Sequence, residues 1–278
     1  MQSRFIPFAI AFAVAGTACT ETSGPIDKSC NRGTLVAGAT VSGTLASGAC
    51  SGSGEFSGTY VDYTTTLVAG ERYLFTLRSD APWPPILQLI NSADPAAGAR
   101  TGWSDDVVGT GAHSQLMFVS PYNGPVTLRV TSGAAQQPGA FTLQSSQCGG
   151  SSVEIGATTV SAQGTIDPND CVIYDRVAQA DGSHADTYIL YLGRNESKAI
   201  KIKARGASAG VFKPAFILTG PFVAGSQSLE RQYTVSSVDS LSVPVGGGNV
   251  AGDYMLAVMG AGPGVFGDYT LTVGPTPP

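Results

Sequence analysis

The two halves of this 278-residue chain share one sequence pattern, and this internal duplication limits the fold more than any other feature. Residues 36–45 are echoed by residues 155–166. In each copy a Cys follows a Gly after seven positions (Gly43 to Cys50, Gly164 to Cys171). Because repeats of this kind mark duplicated structural units, the chain is predicted to contain two copies of one fold.

The end of each half repeats as well. A pair of glycines 15 positions apart precedes alternating apolar residues in both halves (Gly124 and Gly139; Gly252 and Gly267). Between start and end, residues 83–89 match residues 212–218, aromatic on aromatic and Pro on Pro. These matches place the first repeat at 30–147 and the second at 148–274, followed by a tail at 275–278.

Within each repeat the apolar residues recur with a period of two, as in residues 73–77, 126–130 and 241–245. Gly, Pro, Asn and Asp interrupt the pattern every eight to fifteen residues, and no helical period of 3.6 is present after residue 19. Such alternation is typical of half-buried antiparallel strands. The predicted fold is therefore all-β, with two tandem antiparallel β-sandwich domains.

The N-terminus has the pattern of an export signal. After Arg4, residues 5–16 form an apolar run too short to span a bilayer, and Thr17-Ala18-Cys19 follows. This ending resembles a bacterial lipobox, which implies a signal peptide at 1–18, lipidation of Cys19 and a polar tether at 19–29. Gly16 departs from the lipobox pattern. The alternative is therefore that an ordinary signal peptidase cleaves nearby and the protein is secreted without a lipid.

If Cys19 carries the lipid, the membrane is a partner of the protein through this N-terminal anchor. The next residue, Thr20, is not an Asp. By resemblance to Gram-negative sorting, this favours a location in the cell envelope, anchored in the outer membrane.

Several motifs resemble the bacterial pre-peptidase C-terminal domain. They are Gly-x-Leu near the start, Tyr-x-Phe-x-Leu after a turn, Pro-x-Leu-x-Leu, Asp105-Asp106, and a final Gly-x-Phe/Tyr-x-Leu. The resemblance covers residues 35–145 and 153–274, although the second copy lacks the acidic pair. It implies jelly-roll-like sandwiches of a kind found beside secreted enzymes and in envelope proteins.

Four cysteines remain after Cys19, and four cysteines allow three disulfide pairings. The repeat selects one of them, because in each half two cysteines flank the same Gly-Thr-Leu/Ile strand. Equivalent positions in duplicated units should form equivalent bonds, so the pairs Cys30–Cys50 and Cys148–Cys171 are predicted. A zinc site is disfavoured, because the short Cys-x₂-Cys spacing is missing.

No residue set predicts catalysis. Ser208 lies in a Gly-x-Ser-x-Gly string, but another strand follows it where a nucleophile elbow requires a helix. The two histidines, His113 and His184, are predicted to be exposed loop residues at non-equivalent positions. We therefore expect no enzyme activity, no catalytic residues and no cofactor.

Two acidic clusters are candidates for calcium, Asp105-Asp106 and Asp167-Pro-Asn169-Asp170. Turn capping by Asp and Asn explains both more simply, so no metal site is predicted. Trp83 and Trp103 invite a ligand-platform interpretation, but each aligns with an aromatic residue of the other half. Both are therefore predicted to be structural.

The net charge of −5 and the pI near 4.9 argue against a nucleic-acid partner, because phosphate binding requires clustered Lys and Arg. The remaining hypothesis is a non-catalytic envelope lipoprotein that binds a polymer or a protein at the cell surface. The alternative is a structural spacer or assembly component of an envelope complex.

Overall fold

The computed structural model describes residues 30–46, 50–51, 59–79, 83–90, 99–101, 103–107, 111–132, 139–146, 148, 159–174, 182–221, 230–246 and 249–276. Within these ranges the chain is all-β, as predicted, with no α-helix. In the part of the chain that the structure describes, one 3₁₀ turn is present, at Gly206–Ser208.

Eleven of the described strands come from the first half of the chain: β1 (Asn31–Thr34), β2 (Thr40–Leu45), β3 (Cys50–Ser51), β4 (Thr59–Leu67), β5 (Arg72–Ser79), β6 (Pro85–Ile90), β7 (Ala99–Thr101), β8 (Trp103–Val107), β9 (Gly111–Val119), β10 (Gly124–Ser132) and β11 (Gly139–Ser146). Nine come from the second half: β12 (Val160–Ile166), β13 (Cys171–Ile173), β14 (Ser183–Leu192), β15 (Ser197–Ala204), β16 (Pro214–Gly220), β17 (Glu230–Val235), β18 (Ser240–Gly246), β19 (Gly252–Gly260) and β20 (Gly267–Pro275).

The strands form four sheets, and each sheet draws its strands from one half of the chain. Sheet N1 has the order β1-β4-β10-β6-β7, with β3 also paired to β4, and sheet N2 has the order β2-β11-β5-β9-β8. Sheet C1 is β13-β14-β19-β16-β17, and sheet C2 is β12-β20-β15-β18. Pairing is antiparallel except between β1 and β4, which run parallel. The strand orders of the two halves therefore correspond, N1 to C1 and N2 to C2.

Each half folds around its own core. Alternate residues of N1 and N2 point at each other and bury a cluster that includes Phe75, Phe118 and Leu128. Sheets C1 and C2 do the same around Ile200, Leu256 and Tyr269. The sandwich part of the sequence prediction is thereby confirmed, since the period-two residues form these two cores.

A third apolar layer joins the two sandwiches, and the sequence analysis did not predict it. The outward side chains Leu74, Met117 and Val119 of N2 pack against Ile217, Met255 and Met259 on the outward face of C1. Every one of these six residues is at most 3% exposed. The four sheets are therefore stacked in the order N1, N2, C1, C2.

Polar contacts reinforce this layer. Gln115 donates to the carbonyl of Val172 at 3.3 Å and accepts from the amide of Tyr174 at 2.8 Å. Thr219 donates through Oγ1 to the carbonyl of Met117 at 2.6 Å. Because both partners of each bond are satisfied within the layer, the buried polar groups carry little desolvation penalty.

Both predicted disulfides are present. Cys30 is bonded to Cys50 at a sequence separation of 20, and Cys148 to Cys171 at a separation of 23. Cys148 and Cys171 also belong to the apolar layer between the sandwiches. This bond therefore links the segment that follows β11 to β13, the first strand of sheet C1.

The duplicated glycines mark places where an aromatic ring lies on the backbone. A Cβ atom on Gly43 would come 2.5 Å from Cζ of Phe141, and one on Gly164 would come 2.4 Å from Cζ of Tyr269. These distances are shorter than any real carbon contact. Glycine recurs at this position because only hydrogen fits beneath the ring.

Candidate binding face

Among the residues that the structure describes, no further sheet covers the outer faces of N1 and C2, and the N1 face carries a bidentate ion pair. The outward residues of its central strands include Tyr60, Asp62 and Arg129, all half-buried. Gln88 lies on the same face, because it pairs with Arg129 across β6 and β10. We call this set of four residues the Arg129 face.

Arg129 organises the face. Its Nε donates to Oδ1 of Asp62 at 2.9 Å, and its Nη2 donates to Oδ2 at 3.0 Å. The guanidinium also lies 3.6 Å from the centre of the Tyr60 ring. Burial alone lowers the pKa of Arg129, but the hydrogen bond and charge of Asp62 outweigh it and raise the pKa. The result is a fixed planar group with its charge compensated.

The equivalent face of sheet C1 is apolar, and the strand registers define the correspondence. Tyr63 pairs with Leu128 in N1 as Tyr188 pairs with Leu256 in C1. The residues that correspond to Tyr60, Asp62, Arg129 and Gln88 are therefore Ala185, Thr187, Ala257 and Ile217. All four C1 residues are buried, and Ala185, Ile217 and Ala257 belong to the apolar layer against N2. Of these two corresponding sets of described residues, the N1 set carries the charged pair.

The outer face of sheet C2 is polar in a simpler way. Its polar outward residues are hydroxyl, amide or ammonium side chains of intermediate or full exposure: Ser161, Gln163, Lys201, Lys203, Ser240, Ser242, Thr270 and Thr272. Arg205 and Asp268 form a loose ion pair of 3.9 Å at its margin. This composition suffices to keep an end face soluble, and it lacks the fixed guanidinium of the Arg129 face.

A second polar cluster lies inside the C-terminal sandwich. The hydroxyl of Tyr269 donates to Oδ2 of Asp186 at 2.6 Å and lies 2.6 Å from the hydroxyl of Tyr188. Both tyrosines are at most 2% exposed. Burial raises the pKa values of all three groups. No local sequence pattern predicts this cluster, because Asp186 and Tyr188 lie on β14 and Tyr269 lies on β20, far apart in the chain.

The raised pKa of Asp186 predicts a pH-dependent stability difference. The folded state binds this proton more tightly than the unfolded chain, so the associated stability is present at acid pH and is lost as pH rises through the folded pKa. Asp186→Asn retains an acceptor for Tyr269. Its unfolding free energy in urea should therefore rise relative to wild type between about pH 3 and pH 7. The assignment would be contradicted if the difference in unfolding free energy between Asp186→Asn and wild type did not change with pH. An equal pH trend in Asp253→Asn, the control at an exposed site, would contradict it as well.

Ser208 has a structural position. It ends the 3₁₀ turn Gly206–Ser208, and its Oγ accepts a hydrogen bond of 2.8 Å from the amide of Asp268. The next element is strand β16. The strand, turn and helix geometry that exposes a nucleophile is thus not formed here.

The expectation for the histidines is wrong. His113 lies on strand β9, is 2% exposed, and stacks on Tyr174 with ring centres 4.4 Å apart. His184 lies on strand β14, is half-buried and contacts Phe266. His113 is buried because its sheet face is covered by the other sandwich, which the local sequence around it does not reveal.

The acidic turn at residues 167–170 caps itself. Asp167 accepts from the amide of Asn169 at 2.6 Å, and Asp170 accepts from the amide of Asp167 at 2.7 Å. In the described part of the chain, no group of three or more His, Cys, Asp or Glu residues could hold a metal. The side chains of Asp105, Asp106 and Trp103 lie outside the described residues.

Trp83 is 2% exposed and packs in the core of the N-terminal sandwich. Phe212, its counterpart in the other half, is fully buried in the second core. Both are structural residues, as the repeat predicts for this pair, and neither offers a ring to a ligand.

The N-terminal predictions fall on undescribed residues. The signal at 1–18, the lipidation site Cys19 and the tether all precede residue 30, where the description begins. Across the described residues, no helix has the length and apolar character needed to cross a membrane.

Comparisons with known proteins give weak similarities. No protein-family profile and no curated protein matches the chain. Among solved structures, the pre-peptidase C-terminal domain of collagenase from Bacillus anthracis is 13% identical, covers 41% of this chain and 95% of that domain, and has a TM-score of 0.30. The N-terminal CBM22-1–CBM22-2 tandem domain of Xyn10C from Paenibacillus barcinonensis is 8% identical, with coverages of 77% and 83% and a TM-score of 0.26.

The PBSX exported protein XepA is 11% identical, with coverages of 84% and 86% and a TM-score of 0.22. TM-scores this low do not establish a shared fold. No property of these proteins is therefore transferred to the chain.

Proposed function

We propose that this chain is an exported, non-catalytic binding protein that holds a neutral extracellular polysaccharide on the Arg129 face. The observation that carries the proposal is the contrast between the two free ends of the stack. The polar side chains on the solvent-facing C2 sheet are mainly hydroxyl, amide and ammonium groups, and the ion pair at its margin is loose at 3.9 Å. The N1 face instead has a bidentate ion pair whose guanidinium lies over a tyrosine ring. A face that only has to be wetted by water does not need side chains held in one fixed arrangement.

The chemistry of the face favours a neutral, hydroxyl-rich ligand. Asp62 compensates the charge of Arg129, so the face does not attract a polyanion strongly. The guanidinium of Arg129 and the carboxylate of Asp62 lie side by side, whereas Gln88 on the adjoining strand is only 4% exposed. A paired donor and acceptor of this kind matches the adjacent donors and acceptors of sugar hydroxyls. A sheet face several strands wide accommodates an extended chain.

A binding experiment with matched variants tests the proposal. Binding of the fragment 30–278 to soluble xylan, β-glucan and alginate is measured by affinity electrophoresis and calorimetry. We expect retention by a neutral polymer, and Arg129→Ala should weaken it at least tenfold, or about 1.4 kcal/mol. Arg129→Lys, which keeps the charge without the bidentate geometry, should weaken it as well.

Lys201→Ala on the opposite end of the stack is the control and should bind as wild type does. Equal losses in the Arg129 and Lys201 variants would contradict a site on the Arg129 face. Folded protein that retains none of the three polymers would overturn the proposed function, and retention of alginate alone would overturn the neutral ligand.

A second function is favoured by the apolar layer between the sandwiches. This layer holds N2 against C1, so the two halves form one stiff body of four sheets. Such a body suits a spacer that carries a partner away from the membrane to which a lipid on Cys19 would attach it. Recovery of an unmodified N-terminus at any residue other than Cys19, measured by mass spectrometry, would remove the anchor from this scheme.

A further inference from the structure

We infer that each outer face of the stack has the strand arrangement of one side of the internal N2–C1 interface but carries side chains that prevent stacking. Replacing those side chains should let a second copy of this chain stack head to tail. The blocking residues lie on the outer faces of N1 and C2. This inference does not depend on polysaccharide binding.

The internal interface joins two different faces of the repeated unit. Sheet N2 corresponds to C2 and sheet N1 to C1, because their strand orders match. The contact of N2 with C1 is therefore the second sheet of one unit on the first sheet of the next. A head-to-tail interface of this type leaves one unpaired face at each end of the stack unless its rotation closes a ring. Geometry alone would let the C2 face of one molecule continue onto the N1 face of another.

Side chains on N1 prevent this continuation. Where C1 has the small residues Ala185 and Ala257 in contact with its neighbour, N1 has Tyr60 and Arg129. At the position of the buried Met255, N1 has Thr127. A stacked second copy would need to bury the Arg129–Asp62 pair, and desolvating an ion pair opposes association.

Side chains on C2 block the other end. The registers align the outward residues of β15 and β18 with those of β5 and β9, since Ile202 pairs with Leu241 as Leu77 pairs with Ser114. By this alignment, residues that make the internal contact are replaced by smaller or charged ones: Leu74 by Ala199, Thr76 by Lys201, Gln115 by Ser242, Met117 by Pro244 and Val119 by Gly246. The C2 face therefore lacks the apolar side chains and the amide that hold N2 on C1.

Two complementary variants test the inference. The first opens N1 by taking its residues from C1: Tyr60→Ala, Asp62→Thr, Gln88→Ile, Thr127→Met and Arg129→Ala. The second opens C2 by taking its residues from N2: Ala199→Leu, Lys201→Thr, Ser242→Gln, Pro244→Met and Gly246→Val. Far-UV circular dichroism and thermal unfolding report whether each remains folded. If a full set unfolds, a double variant replaces it. This is Tyr60→Ala with Arg129→Ala for N1, and Lys201→Thr with Pro244→Met for C2.

Light scattering coupled to size exclusion gives the readout. Wild type and each variant alone should have the monomer mass, and an equimolar mixture should shift to twice that mass and stop there, since one opened C2 face meets one opened N1 face. A chain with both faces opened should form longer oligomers. Self-association of one variant alone would show adhesive patches rather than head-to-tail stacking and would overturn the inference. A folded mixture that stays monomeric, or a wild type that stacks, would overturn it as well.

Discussion

Met255→Asp is expected to lower the free energy of unfolding by about 4 kcal/mol or more, because it places a charge without a partner in the apolar layer between the sandwiches. Met255 is fully buried there, on the outward face of β19. It belongs to neither of the two sandwich cores. The substitution should therefore separate the halves while leaving each core intact.

Differential scanning calorimetry measures this outcome. Wild type should unfold in one transition, since the layer couples the two sandwiches, and Met255→Asp should show two transitions at lower temperature. Thr127→Asp is the matched control, because Thr127 occupies the corresponding position on the free face of N1. It should change the stability by less than about 1 kcal/mol. A Met255→Asp protein that still unfolds in one transition near the wild-type temperature would show that the layer contributes little.

The contrast between these two positions shows what the sequence could and could not predict. The period of two identifies the residues that face each core, and the duplication identifies two equivalent sandwiches. Neither pattern tells which outward face is covered by another sheet. Leu74 and Met117 are apolar residues at outward positions of β5 and β9, where the period of two predicts polar residues. They are the local sequence signal for the covered face. A continuous apolar run indicates a strand that is buried on both sides.

The candidate face was harder to predict from the sequence. Tyr60, Asp62 and Arg129 lie on strands that are distant in the chain, and only the register of β4 with β10 brings them together. Comparison of the two repeats could have raised the question, because Ala257 stands where Arg129 does. The answer depends on the order in which the sheets stack, and that order follows from contacts between the halves that no local spacing encodes.

Trp83→Ala is the second substitution for which we expect a large effect. It should lower the free energy of unfolding by about 4 kcal/mol, because it leaves a cavity the size of the indole ring in a close-packed core. Trp83 is 2% exposed and lies against Gly139, where a Cβ atom would come within 2.4 Å of Cδ1 of the indole. The carbonyl of Trp83 also accepts a hydrogen bond of 3.2 Å from Ser79. Equilibrium unfolding in urea gives the loss, and a change below about 1 kcal/mol would contradict a core position.

Trp83→Phe separates the packing role of the ring from its hydrogen bonding. The other repeat has Phe212 at this position, lying over Gly267 as Trp83 lies over Gly139. Among the described residues, the indole nitrogen of Trp83 is buried without a hydrogen-bond partner, so Phe would remove no such bond. The substitution should therefore cost less than about 1.5 kcal/mol. Polysaccharide binding at the Arg129 face should be unchanged in the folded Trp83→Phe protein, since the tryptophan points into the core. Loss of binding with stability retained would assign the indole to the ligand instead of to the core.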